Sequence, residues 1–245
     1  MNVSGNTVLI TGGATGIGLA LAAALVNQGN EVIICGRRRR KLQGAKAKIP
    51  SLQTWVCDVS KATSRHSLVR WATSSFKALN VLVNNAGIQQ TIDFTKGPRD
   101  AHHAREEIEV NLIAPIQLVA LLVPHLSRKK EAAIVNISSG LAFTPLAAVP
   151  VYSATKAAIH SLSLSLRHQL GATSIRVFEV APPIVRTELG GRKRARKDAE
   201  GLVMTPDEVA GGVLEALARN QYEVALGAAK GLWEKREKLF DAINE

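Results

Sequence analysis

The chain is poor in cysteine, aromatic residues, acid and long apolar runs, and each shortage excludes something. Two cysteines, Cys35 and Cys57, in 245 residues cannot build a disulfide framework. A reducing, cytoplasmic setting is therefore the expectation. No uninterrupted apolar run approaches the ~18 residues that cross a bilayer. The opening Met1-Asn2-Val3-Ser4-Gly5-Asn6 lacks the basic start and apolar stretch of a secretory signal. Phe, Trp and Tyr make up 4% of the chain, which leaves little material for stacking nucleic-acid bases. Acid is short as well: 20 Asp and Glu stand against 31 Lys and Arg, a net charge of +11. That balance admits nucleic acid, anionic membranes or phosphorylated small molecules as partners. Hydrophobic residues are plentiful at 46%, enough for one sizeable core and too many for a disordered chain.

The positive charge is clumped. Arg37-Arg38-Arg39-Arg40-Lys41 forms one run and Arg192-Lys193-Arg194-Ala195-Arg196-Lys197 another. Each reads as a solvated loop unless its place in the fold assigns it a task.

Apolar runs alternate with helical periodicity along the whole chain. Strands are predicted over 7–11, 31–35, 52–57, 81–83, 132–137, 174–180 and 222–226. Helices are predicted over 17–27, 38–48, 63–76, 104–126, 151–170 and 206–218, and an amphipathic helix over 229–243. Continuous apolar strands separated by helices predict a parallel sheet covered on both faces. The expectation is α/β, a doubly wound sheet of seven strands in a single domain, 1–245. The charged, glycine-containing stretch within 187–205 suits a substrate lid.

Thr11-Gly12-Gly13-Ala14-Thr15-Gly16-Ile17-Gly18 lies between the first strand and the first helix. Glycines there permit a tight turn and close approach to a pyrophosphate, which the helix N-terminus then binds. The absence of Gly-Lys-Ser/Thr excludes a P-loop. A carboxylate ending the second strand would bind the ribose 2′-hydroxyl of NAD, and an arginine nearby would accommodate a 2′-phosphate. Here the strand ends in Gly36, Arg37 and Arg38, with no acid. NADP(H) is the expected cofactor.

With these residues read, the chain resembles the short-chain dehydrogenases and reductases over nearly its whole length. The resemblance rests on an ordered set of motifs: Thr11 to Gly18, Asp58 in Cys57-Asp58-Val59, Asn84-Asn85-Ala86-Gly87, Asn111, Ser138-Ser139, and Tyr152-x-x-x-Lys156. Ala181-Pro182-Pro183-x-Val185-x-Thr187 looks most like the DltE-like oxidoreductases. The resemblance implies a Rossmann-type fold and cofactor contacts from Gly12, Ala14, Thr15, Gly16, Ile17, Gly18, Arg37, Arg38, Asp58, Val59, Asn85, Ala86, Gly87, Tyr152, Lys156, Pro182 and Thr187. It further implies that Asn111 anchors a water in a relay to Lys156. A homodimer or homotetramer through the 104–126 and 151–170 helices is also implied.

The chemistry is legible in the residue types. Tyr152 and Lys156, four apart, share a helix face. An ammonium beside a phenol favours the phenolate, so Tyr152 is the expected acid/base. Ser139, thirteen residues before Tyr152, is the expected hydrogen-bond donor to a carbonyl oxygen, ahead of Ser138. Pro183 stands where the family has glycine, which alters the loop beside the nicotinamide. None of the six histidines forms a metal signature, so no metal is expected. The predicted function is NADP(H)-dependent hydride exchange with a carbonyl or secondary alcohol, a small-molecule substrate. The alternatives are a catalytically idle NADP-binding sensor or scaffold, and a nucleic-acid binder using the basic loops. Neither a specific nucleic acid nor a membrane is the expected partner.

Overall fold

The computed structural model describes residues 1–189 and 202–244. The basic run at 192–197 and most of the predicted lid lie outside the described residues. In chain order the elements begin β1 (Thr7–Thr11), α1 (Gly16–Asn27), β2 (Glu31–Gly36), α2 (Arg39–Lys48), β3 (Gln53–Val56), α3 (Ala62–Ser75) and β4 (Leu79–Asn84). A short α4 (Pro98–Ala101) and α5 (Ala104–Ile108) follow, then α6 (Ala114–Leu126), β5 (Ala132–Ile137), α7 (Pro150–Gln169) and β6 (Ile175–Ala181). The chain continues with β7 (Ile184–Val185), β8 (Val203–Met204), α8 (Pro206–Arg219), β9 (Glu223–Ala225), α9 (Ala229–Lys235) and α10 (Phe240–Asn244).

Seven strands form one parallel sheet in the order β3-β2-β1-β4-β5-β6-β9. The order reverses between β1 and β4, and a crevice opens there at the strands' carboxyl ends. Alternate strand residues serve two cores. Leu9, Ile33, Leu82, Ile134 and Val177 face α3, α6 and α7. Val8, Ile10, Ile34, Val83, Val135 and Val180 face α1, α2 and α8. Burial on both faces is why these strands read as unbroken apolar runs rather than as alternations. The doubly wound seven-stranded sheet expected from the sequence is the fold observed.

Three local expectations are corrected. The predicted 104–126 helix is interrupted by a wide π turn over Glu109–Ile113. Pro115 has no N–H to offer the carbonyl of Asn111 four residues back, which removes one ordinary helical bond at this point. Second, this Ala104–Leu126 run is long and apolar enough by length and composition to cross a membrane, contrary to the sequence reading. Val110, Ala114, Leu118, Val119, Leu122 and Leu126 are buried in the core on one face of the sheet, while Ile108 and Ile116 remain exposed. Third, the predicted C-terminal helix is broken after Lys235. Arg236 takes φ 50° and the chain turns. The Thr144 hydroxyl lies 3.1 Å from the Leu232 carbonyl and 2.9 Å from that of Arg236, fastening the tail to the loop that follows β5.

Candidate active site

The loop between β1 and α1 is shaped by what glycine permits. Gly12 has φ +66°, and a Cβ there would sit 2.9 Å from Ala86 Cα. At Gly18 a Cβ would lie 2.5 Å from the Gly12 carbonyl oxygen. These are closer than real side chains come, so β1, α1 and β4 approach each other only through glycine. Asn85 locks the arrangement: its Nδ2 donates to the Thr11 carbonyl (2.9 Å), and the backbone N–H groups of Asn85 and Ala86 donate to Thr11 Oγ1 (3.0 and 3.1 Å). Asn85 thus supports the loop from beneath. At the start of α1, Thr15 caps no N–H with its side chain and the first turn holds no acid. The helix end with its partial positive charge is left for an anion. Thr187 reaches this loop from the far side of the crevice, since a Cβ on Gly16 would lie 3.1 Å from Thr187 Cγ2.

At the end of β2 the predicted phosphate-binding cations are present and exposed. Arg37 pairs with Glu106 of α5 (3.1 Å). Arg38 and Lys41 both approach Glu188 (3.8 and 3.6 Å). Arg38 Nη2 also donates to Thr15 Oγ1 (3.4 Å), joining the basic run to the glycine loop. Asp58 accepts from the backbone N–H and hydroxyl of Ser60 (3.0 and 2.8 Å), which fixes the turn after β3. The Val59 carbonyl is held by the buried Arg65 guanidinium. A cavity of about 670 Å³ lies on the outer side of this region, lined by Thr15, Gly16, Arg40, Lys41, Arg186 and Glu188 among others. It adjoins the glycine loop rather than Ser139 and Tyr152. Cys35 and Cys57 are buried and free, near the ends of β2 and β3.

The other predicted residues converge at the crevice's opposite side. Ser139 lies two residues beyond β5 and caps a short turn, accepting from the Leu141 N–H (3.1 Å). A hydroxyl that accepts one bond keeps its proton for another partner. Ser138 instead continues the strand, donating its N–H to the Val180 carbonyl (2.9 Å), with its side chain almost fully buried. Tyr152 and Lys156 sit in the first half of α7. The Lys156 ammonium donates to the Ile137 carbonyl (2.8 Å) and lies 5.6 Å from the centre of the Tyr152 ring. Burial lowers the Lys156 pKa from 10.5 to about 8, with Glu179 acting in the opposite direction. Asn111, in the π turn, accepts from the Ile88 N–H (2.9 Å) and donates to the Ile88 carbonyl (2.9 Å) and to Thr155 Oγ1 (3.2 Å). Asn111 Oδ1 and Lys156 Nζ flank one point beside Gly87, 3.4 and 3.9 Å from where a Cβ would stand. Pro182 accepts from the Gly140 N–H (3.0 Å), holding the loop after β6 against the loop after β5. The Pro183 ring packs near Gly227, 3.5 Å from where a Cβ would stand there.

A family model described as short chain dehydrogenase matches residues 6–198. The chain belongs to this family. It is 46% identical over 245 residues to the uncharacterized oxidoreductase DltE of Bacillus subtilis (strain 168), covering all of this chain and 97% of that one. The DltE-like character read from the motifs is borne out. A short-chain dehydrogenase from Sphingobium yanoikuyae, solved in complex with NADPH, matches at TM-score 0.81 and 27% identity, over 90% of this chain and 87% of that one. A 3-ketoacyl-(acyl-carrier-protein) reductase from Brucella melitensis, complexed with NADH, matches at TM-score 0.82 and 25% identity, over 92% and 98%.

Two groups beside this short-chain dehydrogenase site escaped the sequence reading. Glu107 of α5 is fully buried and accepts from the Gln90 N–H (3.0 Å), so it shares with Asn111 the task of holding the 88–90 segment. Burial raises its pKa from 4.5 to about 7. The folded chain therefore keeps a proton that the unfolded chain releases, and stability falls as pH rises from about 4.5 to about 7. Over that window the loss is at most about 3 kcal/mol. Thermal melts across it are expected to show Tm declining with pH, and Glu107→Gln is expected to flatten the decline. A wild-type Tm that rises through the window refutes the assignment. The second group is His160 on α7, with Glu179 on β6 and Glu223 on β9, whose side chains meet although far apart in sequence. No local pattern signals either group; only packing brings a buried acid to its partner.

Proposed function

We propose that the protein is an NADP(H)-dependent oxidoreductase that interconverts a carbonyl compound and the matching secondary alcohol. The observation that carries this reading is the Tyr152–Lys156 pair, its ammonium buried and fixed by the Ile137 carbonyl beside the ring, with Ser139 at the neighbouring strand end. Such an ammonium favours the phenolate, so Tyr152 Oη can give a proton to a substrate oxygen and recover it. The Ser139 hydroxyl donates to that oxygen as negative charge builds on it. Asn111, clamped to Ile88, sets the wall beside Lys156 and Gly87 from which a water-borne proton is resupplied.

The residues present fit a nicotinamide dinucleotide. Gly12 and Gly18 leave the close-approach surface that a Cβ would fill, α1 offers uncapped N–H groups, and Thr187 borders the loop. Gly12, Ala14, Thr15, Gly16, Ile17 and Gly18 would hold the pyrophosphate. Asp58 and Val59 would border the adenine, and Asn85, Ala86, Gly87, Pro182 and Thr187 the remainder. When bound, that cofactor supplies the hydride; the protein supplies position and proton. Arg37, Arg38 and Lys41 with no acid at the end of β2 favour the 2′-phosphate. Arg37, Arg38 and Lys41 would hold such a phosphate in place of their present exposed partners Glu106 and Glu188. Of the two structural relatives, one was solved with NADPH and the other with NADH, so the preference rests on the residues at the end of β2. The 187–205 segment is proposed as a lid, α5 to α7 as the face of a homodimer or homotetramer, and the two free buried cysteines fit a cytoplasmic protein.

The test is oxidation of NADPH and of NADH over a panel of ketones, aldehydes and quinones. Faster turnover with NADPH supports the reading, and equal rates with NADH refute the role of Arg37 and Arg38. Arg38→Gln is expected to weaken NADPH binding by about tenfold while leaving NADH binding nearly unchanged, measured by nucleotide fluorescence titration.

A further inference from the structure

We propose that Glu179, paired with His160, is a positioning residue that supplies the buried counter-charge for Lys156. The proposal rests on the function given above. The spacing is the first argument: Tyr152, Lys156 and His160 recur every four residues on α7, so they share the face that lies on the sheet. Glu179 stands beneath that face on β6, between the core residues Phe178 and Val180, with 0% exposure. Its Oε2 lies 2.8 Å from His160 Nδ1. Its Oε1 has no hydrogen-bond partner among the described residues.

A carboxylate in that position is expensive, because burial strips its water and only one oxygen is compensated by a hydrogen bond. An apolar residue there would avoid that desolvation cost. A second buried charge one helical turn from His160 accounts for its presence. Lys156 is itself buried, with one carbonyl as its fixed partner, and an anion in the same low-dielectric layer keeps its ammonium charged. Burial pulls the Lys156 pKa to about 8 while Glu179 pushes it upward. The Glu179 hydrogen bond raises that of His160.

The remaining charges facing the pair are accounted for. On β9, Glu223 is the strand neighbour of Glu179; it accepts from Trp233 Nε1 (2.9 Å) and approaches Arg167 of α7 (3.9 Å). From the tail, Arg236 lies 5.4 Å from the Phe143 ring, which packs edge-on against His160 at 4.8 Å. On β5, the residue aligned with Glu179 is the uncharged Asn136. Glu223 thus has Arg167 and Trp233 as partners and also lies within 4.8 Å of His160 and Glu179, whereas the one hydrogen-bond partner of the Glu179 side chain among the described residues is the ionisable His160. Above the His160 pKa, histidine is neutral and the negative charge of Glu179 acts on Lys156 in full. Removing that charge lets Lys156 lose its proton closer to neutrality, and the cation beside Tyr152 is lost.

The test follows the side-chain amine of Lys156 by nitrogen-15 NMR over pH in the full-length protein, a readout that needs neither cofactor nor substrate. Glu179→Gln, close in shape to the native residue, is expected to move the Lys156 titration down by about one pH unit. Glu179→Asp, which keeps the charge, is expected to restore it. With a carbonyl substrate, the high-pH limb of kcat should move down by the same amount in Glu179→Gln, with the KM for NADPH unchanged. An unmoved Lys156 titration in Glu179→Gln overturns the proposal. If Glu179→Gln does not fold, His160→Gln reads the same coupling: the titration should stay or rise, and a fall overturns the proposal. A wild-type protein inert towards every carbonyl would instead defeat the proposed function, and the titration would still report on the pair.

Discussion

Tyr152→Phe is expected to lower kcat by about 10²- to 10⁴-fold, the range over which a placed acid/base acts. The change removes one oxygen and keeps the ring, so the core contacts of α7 and the Lys156 position beside the ring persist. The Ile137 carbonyl that holds Lys156 is untouched. Tm should therefore move little, and NADPH titration should give nearly the wild-type Kd. Loss of turnover with retained binding separates proton transfer from cofactor recognition, which is the distinction that matters for this site. A variant that turns over like the wild type would show that another group delivers the proton. Tight NADPH binding with no turnover in the wild type on any substrate would move the balance to a cofactor sensor.

Gly18→Ala is expected to damage the cofactor loop more than any comparably small change elsewhere. Its Cβ would lie 2.5 Å from the Gly12 carbonyl oxygen, 2.6 Å from Asn85 Nδ2 and 2.9 Å from Gly13 Cα. Two of these three neighbours are backbone, and the third is the side chain that locks the loop to β4. None can retreat without moving β1 or α1. Overpacking of this kind typically costs about 1–3 kcal/mol, and a pyrophosphate site shifted by that strain should lose NADPH affinity by tenfold or more. Gly44→Ala provides the contrast. That glycine lies on the exposed side of α2 with nothing within 4 Å of a new Cβ. There the same methyl should stabilise the helix by about 0.5–1 kcal/mol and leave the Kd unchanged. Thermal melts and NADPH titrations of the two variants side by side check both outcomes; equal behaviour would refute the close-approach argument.

Much of the site was legible because its residues act locally. The glycine loop declares itself at a strand-to-helix turn, and Tyr152 with Lys156 follows helical spacing. The missing acid after Gly36 needs only the end of β2 to be placed. The helix boundaries were less legible. Pro115 was visible inside the 104–126 run, yet its effect appears as a π turn centred on Asn111, whose side chain is committed to Ile88. The tail pattern of Leu232, Trp233, Leu239 and Phe240 looked like one amphipathic helix. Contact with Thr144 divides it, and periodicity carries no record of a partner almost ninety residues away.

The sequence by itself determined the doubly wound sheet, the glycine turn between β1 and α1, and the placing of Tyr152 and Lys156 on one helix face. Each depends on periodicity or spacing within one or two adjoining elements. The tertiary structure alone decided which charges are buried together. Glu107 meets the Gln90 N–H, Glu179 meets His160, and Glu106 and Glu188 reach Arg37, Arg38 and Lys41 from other segments. The physical reason is that the state of an acid or an amine follows from the water it has lost and the charge it has gained. Both are set by residues distant in the chain that share a packed layer.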